Sequence, residues 1–182
     1  MKGIVIYKGK YGATHQYAGW LGSALHLPVV KVDNIASESL INYDFLVIGD
    51  SVYIGKLRLR DWLKRNIAAI QDKKLFLFIV CGTPSGEKEK LERIATKNIP
   101  EEIRSRCDVY FLHGRMIKKE ISWMDRMLLT MGAMLIRDPV DKENMLRDFD
   151  EVKKENLIPL INAVLTFSAG KKDMGFNIGN AV

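Results

Sequence analysis

The apolar positions of the 182-residue chain alternate between short unbroken runs and longer stretches at helical spacing. Gly3-Ile4-Val5-Ile6-Tyr7 reads as a buried strand, short and rich in β-branched residues. Between Ala13 and Leu27, Tyr17, Ala18, Leu21, Ala24 and Leu25 recur every three to four positions, which predicts a helix that Pro28 stops. Further strands are predicted at Pro28–Val32, Asp44–Gly49, Leu75–Val80 and Asp108–Leu112, where consecutive apolar residues suit strands buried on both faces. Helices fill the intervals. One carries Leu59, Trp62, Leu63, Ile67 and Ile70 on one face, a second covers 87–97, and a long last one is expected over Lys142–Phe167 with Met145, Phe149, Val152, Leu160, Ile161 and Val164 inward. The fold expected is α/β: a doubly wound, five-stranded parallel sheet in the order 2-1-3-4-5, spanning residues 1–168 as one domain. Two segments fall outside the repeat. An extra helical insertion at about 115–137 follows the fifth strand, and the glycine- and lysine-bearing tail 169–182 is expected to be flexible.

In such a sheet, ligands bind beyond the carboxyl ends of the strands, at the switch point between strands one and three. Attention therefore narrows to residues 7–14, 50–56 and 81–86. The first loop, Lys8-Gly9-Lys10-Tyr11-Gly12-Ala13-Thr14, opens a helix. Its glycines allow close backbone approach, and the helix start offers free N–H groups with positive dipole. Lysines and the Thr14 hydroxyl add charge and hydrogen-bonding capacity. These features suit a phosphate, although an ordinary strand-to-helix turn with solvated lysines uses the same residues. The loop matches neither the G-x-x-x-x-G-K-[ST] nucleotide loop nor the G-x-G-x-x-G dinucleotide fingerprint. Tyr7 and Lys8 also stand where a phospho-receiver domain has an acidic pair.

At Gly12 and Thr14 the loop resembles the flavodoxin family's T-x-T-G-x-T phosphate loop, with Lys8 and Gly9 where hydroxyl residues are usual. Tyr43-Asp44-Phe45-Leu46-Val47-Ile48-Gly49-Asp50-Ser51-Val52-Tyr53-Ile54-Gly55 resembles a segment of menaquinone-dependent protoporphyrinogen IX dehydrogenases, and Trp123-Met124-Asp125-Arg126-Met127 is similar to a stretch of their long insertion. The resemblance implies a flavodoxin-like fold and FMN as cofactor. It implies binding through the first loop, through Ser51, Val52, Tyr53, Ile54 and Gly55, and through Cys81, Gly82, Thr83 and Pro84. Tyr53 is the expected stacking partner of the flavin ring, against the alternative of a half-exposed loop tyrosine. The implied activity is a flavin oxidoreductase passing electrons from a reduced substrate to a quinone or similar acceptor. An electron-transfer protein without a substrate of its own, and a binding module that has lost the cofactor, remain as alternatives.

Charge and composition refine this picture. With 28 basic and 22 acidic residues the net charge is +6, unlike the acidic balance of soluble flavodoxin carriers and favourable to anionic partners. Nothing in the pattern points to nucleic acid. The apolar runs are too short for a membrane span, and a cytoplasmic protein is expected. Two cysteines and three scattered histidines give no metal-ligand spacing. Cys81 reads as a buried thiol more readily than a redox one, and His113 as the histidine placed for proton transfer or else a plain loop residue. No catalytic residue can be assigned. Five of the eight methionines lie between Met116 and Met134, in a helix expected over 121–136 and flanked by Arg115, Lys118, Lys119 and Arg137. That segment fits three roles: a cap on the core or a homodimer contact, a wall for substrate or quinone, or a peripheral membrane contact.

Overall fold

The computed structural model describes residues 1–170 and 178–180. The strands are β1 (Gly3–Tyr7), β2 (Val29–Lys31), β3 (Phe45–Tyr53), β4 (Lys56–Leu57), β5 (Lys74–Cys81), β6 (Cys107–His113), β7 (Arg115–Met116), β8 (Phe149–Asp150) and β9 (Ile178–Asn180). The α-helices are α1 (Ala13–Leu25), α2 (Arg60–Arg65), α3 (Ile67–Ile70), α4 (Lys88–Asn98), α5 (Glu101–Arg104), α6 (Trp123–Met134), α7 (Pro139–Leu146) and α8 (Ile158–Ser168). The main sheet runs β2-β1-β3-β5-β6-β9, all parallel, with β4 folded back on β3. Its first five strands are the expected order 2-1-3-4-5, the flavodoxin-like arrangement. The expected tail lies mostly outside the described residues; within it, β9 pairs with β6 at the sheet edge.

Alternation along each strand splits the core into two layers, as strand geometry requires. Ile4, Ile6, Leu46, Ile48, Leu77, Ile79 and Val109 face Leu63, Ile70, Leu91, Ala95 and Ile103 on one side. Val5, Val47, Phe76, Phe78 and Tyr110 face Tyr17, Ala18 and Leu21 of α1 and Leu160 and Val164 of α8 on the other. Helices on both faces explain why the strands read as continuous apolar runs.

Three boundaries differ from the sequence expectation, each for a local reason. α1 ends at Leu25 because His26 takes a left-handed conformation, with φ 54° and ψ 42°, and its N–H closes the helix on Gly22 O. The helix after β4 divides at Asn66, whose side-chain amide donates to Trp62 O at 2.8 Å. The long last helix is not continuous. Phe149–Asp150 leaves it to pair antiparallel with Arg115–Met116, and α8 starts afresh with Pro159 in its first turn. Between them, the buried Asn156 donates to Tyr17 Oη at 2.7 Å and to Glu151 O at 2.9 Å. Tyr17 in turn donates to His113 O at 2.8 Å, tying α1, β6 and the start of α8 together.

Candidate functional site

Because β1, β3 and β5 are adjacent and parallel, the segments 8–14, 50–55 and 82–86 leave the sheet along one edge. Lys8 N donates to Gly49 O at 2.9 Å, so the first loop starts out bonded to β3. Gly12 sits at the N-cap of α1 with φ 87° and no side-chain cap, and the first turn holds no acidic residue. Helix geometry leaves the amides of Ala13, Thr14 and His15 without intrahelical acceptors. Gly9 lies directly on Thr14: a Cβ there would come within 2.7 Å of the Thr14 Cβ. Thr14 itself is buried beneath the loop. The backbone therefore makes a cradle that fits a phosphate, with Gly9 held tightly against Thr14 and Gly12 in the positive-φ conformation that opens the helix.

The two lysines of the loop are already engaged. Lys8 Nζ pairs with Asp33 Oδ1 at 3.2 Å, and Lys10 Nζ with Asp125 Oδ2 at 2.5 Å. The Lys10 ammonium also lies over the Tyr53 ring at 4.3 Å and the Tyr11 ring at 5.3 Å. Hydrogen bonding to Asp125 raises its pKa despite opposing desolvation.

The second segment is not an open loop. β3 continues through Ser51, Val52 and Tyr53 and turns back at Ile54 and Gly55, both with positive φ (49° and 69°), into β4. A two-residue turn with both φ positive matches the twist of a hairpin. Ser51, Val52 and Tyr53 are half-buried, whereas Ile54 stands out in solvent. Asp50, fully buried, accepts from Ser51 N at 2.7 Å and Leu59 N at 2.7 Å, which fixes the base of this hairpin. Burial pushes its carboxyl up to about 7, against the pull of those backbone bonds.

In the third segment, Cys81 is buried at the end of β5 and burial raises its thiol pKa, the state of an inert rather than a nucleophilic cysteine. Gly82 packs under the Phe149 ring, and Gly114 N donates to Cys81 O at 3.1 Å. Gly82 and Pro84 are exposed and Thr83 half-buried, so the backbone of this turn is open at the rim. His113 lies beside Cys81 in register, with Nδ1 3.5 Å from Glu151 Oε2. Cys107 is buried in register with Leu75, at the opposite end of β5 and β6 from Cys81, and both thiols are free.

The sequence pattern assigns Asp125 no role, yet this residue joins two segments of the candidate site. It projects from α6 and is 7% exposed. One oxygen faces Lys10 of the first segment, and the other accepts from Tyr53 Oη of the second at 2.6 Å. Ser122 caps α6 by accepting from Asp125 N at 3.2 Å, while Ser122 N donates to Tyr11 Oη at 3.4 Å. The insertion thus begins directly on top of the cradle. A solitary acid near the start of an otherwise apolar helix was the available signal.

A parallel sheet of this order, with the segments after β1, β3 and β5 meeting at one edge, is the flavodoxin-like arrangement. The chain belongs to the flavodoxin domain family, whose model matches residues 4–141. It is 25% identical over 85 residues to an uncharacterized protein of Methanocaldococcus jannaschii, a match covering 46% of this chain and 57% of that one. Among solved structures, the fold is similar to the two-electron reduced flavodoxin of Megasphaera elsdenii, with 15% identity, 61% of this chain and 84% of that one covered, and a TM-score of 0.46. It is also similar to a flavodoxin, WrbA-like protein of Agrobacterium tumefaciens, with 19% identity, 68% and 87% covered, and a TM-score of 0.42.

Proposed function

We propose that the chain is an FMN-binding electron-transfer protein of the flavodoxin family. The observation that carries this reading is the uncapped, acid-free start of α1 under Gly9 and Gly12, side by side with the Tyr53 hairpin and the open turn at 82–84. The amides of 13–15 would hold the phosphate, Tyr53 would flank the ring, and backbone groups of 82–84 would meet the ring's polar edge. FMN, when bound, supplies one- and two-electron redox capacity, and the protein's part is to place and tune it. Such chemistry needs no nucleophile–base pair from the protein.

A second reading, an oxidoreductase resembling the porphyrinogen dehydrogenases with a quinone acceptor, draws support from α6. Its Asp125, within the stretch that carries the resemblance, reaches both proposed flavin segments. Titration with FMN and with riboflavin, followed by flavin fluorescence, tests the first reading. Saturable FMN binding is expected, with riboflavin weaker by ~1–3 kcal/mol because it lacks the phosphate. Failure to bind either flavin overturns it and leaves the cofactor-free module. Turnover of a reduced porphyrin with a quinone acceptor by the loaded protein separates the second reading from the first.

A further inference from the structure

α6 presents its residues in an inverted manner. The side facing the fold carries Asp125, Leu129, Gly132 and Ala133, at positions i, i+4, i+7 and i+8, of which Asp125 and Ala133 are buried. The side facing solvent carries the larger apolar groups. Trp123 is 70% exposed, Met124 52%, Met127 49%, Leu128 39%, Met131 55% and Met134 69%. Asp125 enforces this orientation, because turning the apolar side inward would pull its carboxylate off Lys10 and Tyr53. Met145 of α7 packs at Gly132, on the inner side, and leaves the outer stripe uncovered. A contiguous apolar surface of this kind marks a contact site rather than ordinary scatter.

Charge selects the occupant. Lys118, Lys119, Arg126 and Arg137 are exposed at the two ends and flank of the helix, against the exposed acids Glu120, Asp138 and Asp148, the last accepting from Lys118 N at 3.1 Å. A second copy meeting this face about a two-fold axis would bring like cations together. Electron-transfer partners dock through small, largely electrostatic patches and have little use for a convex row of tryptophan and methionine. An anionic lipid surface satisfies both features, since headgroups meet the cations while the apolar stripe sinks to the acyl boundary. Twelve residues give a helix about 18 Å long, suited to lying in that interface. Among the described residues no helix is long and apolar enough to cross a membrane.

We propose that α6 and its flanking cations form a peripheral docking surface for anionic membrane, which lays the carboxyl edge of the sheet against the bilayer. The proposal does not depend on flavin. It is tested by co-sedimenting the full chain with phosphatidylcholine–phosphatidylglycerol vesicles and with phosphatidylcholine alone. Binding is expected only with the anionic vesicles, accompanied by a blue shift in tryptophan emission that Trp123→Phe removes. Met127→Glu with Met131→Glu should weaken binding about tenfold or more, as should Lys118→Glu with Lys119→Glu, while thermal unfolding and FMN titration stay as in the parent chain. The lysine pair keeps the test decisive if the methionine pair disturbs packing. Absence of binding to anionic vesicles overturns the proposal, as does equal binding by both variants. Dimers that the glutamate pair abolishes, without vesicle binding, would reassign the face to a second copy. Loss of FMN binding with vesicle binding intact would count against the flavin reading alone.

Discussion

A single carboxylate links the two halves of the candidate site. Asp125 holds the ammonium that a phosphate at the α1 N-terminus would attract, and it engages the tyrosine expected beside the ring. Its negative charge works against an anionic ligand and its removal frees Lys10. Asp125→Asn is therefore expected to tighten FMN binding about three- to tenfold, a gain of ~1 kcal/mol, and to leave riboflavin affinity almost unchanged. Parallel fluorescence titrations of the two flavins read this directly. Equal gains for both would place the effect at Tyr53 instead.

At the scale of elements, the strands are held at close range by residues that lack side chains. A Cβ on Gly49 would come within 2.1 Å of the Phe78 ring, which is fully buried on the neighbouring strand. The I-G step of β3 therefore exists because an aromatic ring from β5 lies over it. Gly49→Ala should lower stability by ~1–3 kcal/mol, since a packed core has no space for the ring to retreat. Urea unfolding of the variant measures the loss. The β3–β4 hairpin belongs to the same scale: it turns Tyr53 toward Asp125 and depends on the positive φ values of Ile54 and Gly55.

For the molecule as a whole, Asp50 makes stability depend on pH in a direction unusual for a carboxylate. Its native pKa is raised to about 7 by burial, well above the unfolded value. Between the two values the folded chain keeps a proton that the unfolded chain has released. The contribution is complete below the unfolded pKa and is lost as pH rises through about 7. Going from about pH 5 to about pH 8 should then cost ~2–4 kcal/mol of unfolding free energy from this group. Asp50→Asn should flatten that slope, although its amide can accept only one of the two backbone bonds and the variant starts from lower stability.

Much of this architecture is legible in the amino-acid sequence alone. A strand covered by helices on both faces must be apolar at every position, so β1, β3, β5 and β6 stand out as unbroken runs, and their alternation with helices leaves few sheet orders open. The order then dictates that the segments after β1, β3 and β5 meet at one edge. Contacts between remote residues were not legible. Tyr53 and Asp125 are 72 residues apart, and no local pattern announces their bond. The pairing of Phe149–Asp150 with Arg115–Met116 broke a helix that spacing alone would have carried through. Periodicity likewise gave α6 an apolar stripe but could not say which way it faces, because a helical moment has the same magnitude pointing in or out. Burial of one carboxylate against Lys10 and Tyr53 decided that, and turned the methionines toward solvent.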